Sequence, residues 1–165
     1  MVEIGTQAFQ HTNLKELNLP DSVIKIGDMA FYLNANLTQV RFSENLQTIG
    51  EAAFSACNNL VNINIPASVI EIDGSGNGLF SGEFTENKEI IIHEAAMESI
   101  LGDYKNVTPN DSDTKQKVVA DKIKKTLGIF KCNAVIHYDG SNFDILKELV
   151  KSTNKYTYTW INDAG

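Results

Sequence analysis

Apolar residues return along the first half of this chain with a period set by one short motif. Ile26-Gly-Asp-Met-Ala-Phe31 is preceded by Ile4-Gly-Thr-Gln-Ala-Phe9 and followed by Ile49-Gly-Glu-Ala-Ala-Phe54, and a fourth copy opens at Ile72, so the spacing is 22, 23 and 23 residues. A period of this length marks a solenoid, in which each copy is one coil. After its Phe, each copy enters a second apolar pattern: Leu14, Leu17 and Leu19, then Leu37, Val40 and Phe42, then Leu60, Ile63 and Ile65. The alternation at the end of that pattern predicts a short strand. Pro20, Ser43 and Pro66 follow, and Val23, Leu46 and Val69 supply one more apolar residue before the next Ile-Gly.

No single coil of this length buries its apolar face, whereas stacked coils align like residues into columns. Phe9, Phe31 and Phe54 form the largest expected column, and each buried ring contributes roughly 1.5–3 kcal/mol over leaving it wet. Ala8, Ala30 and Ala53 are small for packing, and Gly5, Gly27 and Gly50 mark either a special backbone angle or a close approach. Between the core residues of each strand stand outward positions, Glu16 and Asn18, Gln39 and Arg41, Asn62 and Asn64. They predict a polar ladder of differing side chains across a sheet.

The run Ile-Gly-x-x-Ala-Phe, followed by Leu-x-x-Val-x-Phe/Ile-Pro-x-Ser-Val-x-x-Ile, resembles the BspA-type leucine-rich repeat of bacterial surface proteins. The resemblance is close over residues 2–72 and loose to Val107. It implies that Cys57 sits where a small residue packs inside the turn, with Asn34 in its place one copy earlier. It also implies adhesion or protein binding, and a secreted or cell-surface location, although no signal peptide is visible ahead of the first repeat. The absence of a polar cover for the first coil suggests an excised piece of a longer chain.

Beyond Ile72 the pattern degenerates. Asp73-Gly-Ser-Gly-Asn-Gly78 reads as a loop without the ordered carboxylates of a calcium site, and Leu79-Phe80 delivers one more Phe toward the column. Glu89–Ile92 predicts a last strand and Glu94–Leu101 a short helix, together a terminal cap. Residues 108–114 are polar and aperiodic and read as a linker. From 115 to 165 the pattern predicts a small helix-strand-helix-strand unit: Val118, Val119, Ile123 and Leu127 on one helical face, a strand over 132–138, a helix with Phe143, Leu146, Leu149 and Val150, and a strand over 156–161. The expected organisation is therefore α/β: an array of three to four coils with its cap over 1–107, a linker over 108–114, and the small unit over 115–165.

Charge sharpens the functional reading. Residues 1–107 carry five Lys or Arg against fourteen Asp or Glu, a net of −9, while residues 108–165 carry a net of +2. An acidic array is a poor ligand for phosphates, and the lysine-rich helix at 115–125 lacks interleaved aromatic or Arg residues, so no nucleic acid is expected. No run is long enough to span a membrane. His11, His93 and His137 have no metal-ligand spacing, Cys57 and Cys132 form no disulfide framework, and the turn Asp139-Gly-Ser-Asn142 lacks a nucleotide-loop fingerprint. His137 has no partner spaced to identify a triad. No catalytic residue, metal or cofactor is expected. Tyr156, Tyr158 and Trp160 alternate on one face of the last strand and read as core.

The leading expectation is a protein-binding module that uses Glu16, Asn18, Gln39, Arg41, Asn62 and Asn64, with Arg41, the only Arg of the chain, at its centre. A structural spacer in a longer surface protein, and a small enzyme or ligand-binding unit in residues 115–165, are the alternatives.

Overall fold

A computed structural model of the chain describes residues 1–73, 79–80, 88–101, 133–140, 144, 147 and 157–163. The linker at 108–114, the lysine-rich helix, the helix around Leu146, Cys132, Tyr156 and most of the loop after Asp73 lie outside those residues. Each coil contributes two strands rather than the one its alternation predicts. The Val-x-x-Ile segments form β1 (Val2–Ile4), β3 (Val23–Ile26), β5 (Thr48–Ile49) and β7 (Glu71–Ile72), paired in parallel in that order. The expected strands are β2 (Glu16–Asn18), β4 (Gln39–Arg41), β6 (Asn62–Ile65) and β8 (Lys88–Ile92). Parallel pairing follows from the coil itself, since each turn of chain returns in the same direction one strand spacing further on.

Between the two strand columns lies the core. Phe31 is fully buried, stacked on Phe9 at 5.5 Å and 5° and on Phe54 at 5.2 Å and 12°. Phe80 continues the column, its ring tilted at 6.4 Å from Phe54, as the degenerate fourth copy predicted. Phe9 at the open end remains 43% exposed. Beside the rings runs a column of buried polar groups that changes chemistry from coil to coil. Asn34 donates to the carbonyls of Phe9 and Phe31, at 2.8 and 2.9 Å, and accepts from Leu14 N at 3.0 Å. In the next coil the Cys57 thiol takes this place and donates to Phe31 O at 3.2 Å. Burial pushes that thiol's pKa up to about 11, so it stays protonated at neutral pH. Beyond it the buried ammonium of Lys88 donates to the carbonyls of Leu60 and Cys57. The column thus keeps carbonyls satisfied that stacking would otherwise leave dry and unpaired.

The motif glycines mark close approach and not a left-handed backbone. A Cβ on Gly27 would lie 2.7 Å from Thr6 N, and one on Gly50 would lie 2.6 Å from Asp28 N, whereas at Gly5 nothing stands within 4 Å. The left-handed angles fall instead on non-glycine residues at repeating places: Gln7, Met29 and Ala52 in one column, His11, Leu33 and Ala56 in another. Gly50→Ala must push two coils of backbone apart and is expected to lower stability by roughly 1–3 kcal/mol, the usual effect of overpacking. Gly5→Ala, with open space above it, should leave the denaturation midpoint near that of the parent chain. Equal losses at the two glycines would contradict the packing described.

At the far end, β8 does not close the sheet. β9 (Ala134–Tyr138) pairs with β8 and β10 (Tyr158–Asn162) pairs with β9, all parallel, giving the order β10-β9-β8-β6. Strands from either side of residues 108–114 therefore share one sheet. Tyr158 and Trp160 face the core, as their alternation predicted, and Trp160 meets Tyr138 edge-on at 6.3 Å. The helix α1 (Glu94–Leu101) covers the array end with Ala96 and Met97 buried. Asp139, 45 residues downstream, accepts from Glu94 N at 2.9 Å and so satisfies the first turn of that helix.

Candidate functional site

The outward face of the second strand column carries all six ladder residues, and all six are exposed. In β2 and β4 they stand in register, Glu16 opposite Gln39 and Asn18 opposite Arg41. The core side of the same strands is uniformly aliphatic, through Leu17, Val40 and Ile63. Alternation along a strand thus separates a repeated interior from a varied exterior.

Arg41 is half exposed and held on one side. Its guanidinium donates to Leu19 O at 3.2 Å and to Asn18 Oδ1 at 3.4 Å, and lies 3.5 Å from Asp21 Oδ1. Its charged partner is Asp21. Asp21 lies in the turn after β2, so the Arg side chain crosses from β4 to the preceding coil to reach it. A surface pair of this kind contributes about 0–1 kcal/mol to stability. On its other side Arg41 borders a cleft of about 320 Å³ that opens between β4 and β6, where ladder pairing is interrupted, with Asn64, Glu44 and His93 on its walls and Phe42 and Ile65 beneath.

Past β6 the same outward rows continue onto strands that sequence reasoning had not joined to the ladder. Asn62 is followed by Glu89, Val135 and Thr159, and Asn64 by Ile91, His137 and Ile161. His137 lies between two carboxylates, its Nε2 2.6 Å from Glu89 Oε2 and its Nδ1 3.3 Å from Asp163 Oδ1. Sequence reasoning treated this histidine as ordinary, because its partners lie 48 and 26 residues away and only the strand register brings them together.

The bond to Glu89 raises the His137 pKa above its ordinary 6.5; partial burial opposes this, and Asp163 adds to the rise. A raised folded-state pKa stabilises the fold fully below the unfolded value, and that contribution is lost as pH rises through the raised one. His137→Gln is therefore expected to remove a component of stability that the parent chain shows at pH 5.5–6 and loses toward pH 8. Denaturant titrations of the two chains across this range, compared as differences, check it; a constant difference would contradict the assignment.

Comparison with known proteins bears on the fold directly. Six copies of the BspA type leucine rich repeat region match residues 2–100. Among curated proteins none matches the chain. Over 92% of its length the chain is similar to a leucine rich cell surface protein from Faecalibacterium prausnitzii, with a TM-score of 0.59 at 22% identity, and it covers 33% of that protein. It is also similar to a leucine-rich repeat protein from Bacteroides capillosus, 46% identical over 44% of this chain and 53% of that one with a TM-score of 0.43. A leucine rich repeat protein of T. pallidum is 25% identical over 60% of both chains, also with a TM-score of 0.43. The chain thus spans a third of the length of the first of these relatives and about half of the second. With the repeat matched across more than half of its residues and the coils stacked as that repeat requires, the chain belongs to the BspA-type leucine-rich repeat family.

Proposed function

We propose that the chain is a protein-binding module, displayed at the cell surface, whose contact surface is the outward face formed by Glu16, Asn18, Gln39, Arg41, Asn62 and Asn64. The single observation that carries this reading is the contrast along those strands: the inward positions stay aliphatic from coil to coil while the outward ones range over Glu, Gln, Arg and Asn and are all exposed. A spacer needs the repetition and has no use for the variety. Family membership supports the reading, since leucine-rich repeats commonly bind proteins. No catalytic role is assigned to any residue. Among the described residues no helix is long and apolar enough to cross a membrane.

Within this surface Arg41 is the expected anchor. It is the only Arg of the chain, and contacts on one side already hold its planar fork, which reduces the side-chain freedom lost on binding. An acidic group on a partner can meet it with two hydrogen bonds. Arg41→Ala is expected to weaken a protein partner about thirtyfold, or about 2 kcal/mol, while shifting the melting curve little. Calorimetric titration checks this. Unchanged affinity, with the partner mapping to residues 108–165, would move the function away from the array.

A further inference from the structure

We propose that the sheet beyond β6 carries a second docking site, centred on His137, for a protein segment that combines a basic side chain with aliphatic ones. The site deepens the binding reading above and depends on it for the kind of partner, though it lies on different strands.

Strand register places Ile91, His137 and Ile161 side by side on β8, β9 and β10, facing outward. Ile91 is 42% and Ile161 40% exposed. A lone exposed Ile is ordinary on a protein surface, but two that flank one residue in a paired row form an apolar patch with a polar centre. That centre is acidic. Glu89 from β8 and Asp163 from the end of β10 are the charged groups that face His137, and on β9 the neighbouring outward residue is Val135. With the imidazole protonated the cluster carries one net negative charge, and with it neutral, two.

The geometry separates this cluster from a metal or catalytic centre. The two carboxylates lie at opposite nitrogens of the ring, so no single ion reaches all three groups, and neither ring nitrogen is left to take a proton from a substrate. Each carboxylate nevertheless uses one oxygen toward His137 and keeps a second for a donor from outside. Among the described residues no Lys or Arg pairs with Glu89 or Asp163. Charge complementarity therefore selects a Lys or Arg, and Ile91 and Ile161 select aliphatic neighbours on either side of it. A second copy of this chain is disfavoured as the occupant, because two such faces set Glu89 and Asp163 against their own counterparts within a chain of net charge −7.

The test is a titration of the full ¹⁵N-labelled chain with a blocked Lys-Val-Lys-Val-Lys-Val peptide, and with its Glu-Val counterpart, at pH 5.5 and pH 8. Saturable amide shifts confined to β8, β9 and β10 are expected with the lysine peptide. Binding should tighten on the order of threefold from pH 5.5 to pH 8, as the imidazole loses its proton. Glu89→Gln and Ile161→Ser should each weaken it, while His137→Gln should retain binding and lose the pH dependence. Equal response to both peptides, shifts confined to β2 and β4, or no saturable shift would each overturn the proposal. The two readings fail separately: a protein partner that contacts Gln39 and Arg41 but leaves β8–β10 untouched refutes this site and leaves the ladder standing, and the reverse footprint does the opposite.

Discussion

Phe31→Ala lowers the unfolding free energy by about 3–5 kcal/mol, the range for truncating a buried aromatic ring. The ring is sandwiched, 5.5 Å from Phe9 and 5.2 Å from Phe54, so its removal leaves a cavity with rings on both sides that the backbone ladders prevent from closing. Because each coil is held chiefly by its neighbours, the loss also loosens the coils above and below. Phe9→Ala is expected to have a smaller effect, since 43% of that residue is already in water and only one face of its ring is stacked. The denaturation midpoints of the two variants check this. Equal shifts would contradict a column that is buried in the middle and open at the first coil.

Asn34→Leu is the second substitution with a large expected effect. Leu keeps the branched shape and the heavy-atom count of Asn, though its methyl groups are bulkier, and the carboxamide bonds to Phe9 O, Phe31 O and Leu14 N disappear together. Thr12 Oγ1 still reaches Phe9 O at 2.9 Å and the Cys57 thiol still reaches Phe31 O at 3.2 Å, which leaves Leu14 N as the group abandoned. A buried group without a partner costs about 1–3 kcal/mol, and a loss of that size is expected. Asn34→Cys repeats the arrangement the next coil uses, where a thiol serves one carbonyl, and should recover part of the loss. A Leu variant as stable as the parent chain would show that this polar column does not support the stack.

Those two residues also show what was readable in the chain. Phe31 was legible as a core residue because its environment repeats: a column is a one-dimensional object, and the period alone aligns its members. The same holds for the exposed ladder and for the packing glycines, whereas the burial of Tyr158 and Trp160 was legible from alternation within one strand. Asn34 was legible as a position but not as a hub, since its hydrogen bonds run to the coil before it and depend on the turn geometry. Lys88 was missed altogether; a lysine ahead of an apolar strand reads as a solvated flank, and the preceding coil's carbonyls that help make its burial tolerable are brought to it by the fold. His137 was unreadable for a related reason. Its partners come from strands that enter the sheet outside the repeat, where no period predicts the register.

The strands β1, β3, β5 and β7 were passed over because two to four residues are too few to show alternation, although parallel pairing between coils makes them strands. The pairing of Arg41 with Asp21 depends likewise on where the turn after β2 sends its side chains, which a ladder drawn from alternation does not specify.

That one varied sheet face binds protein is the central claim, and photo-cross-linking tests it most directly. Benzoylphenylalanine is placed at Gln39 or Asn62 on the ladder, or at Lys25 on the opposite strand column, and the immobilised chain is allowed to capture a protein before irradiation. Adducts are expected from positions 39 and 62 and not from 25, with capture lost when the six ladder residues are replaced by Ser. Adducts from Lys25 alone, or capture undiminished after all six replacements, would contradict the account.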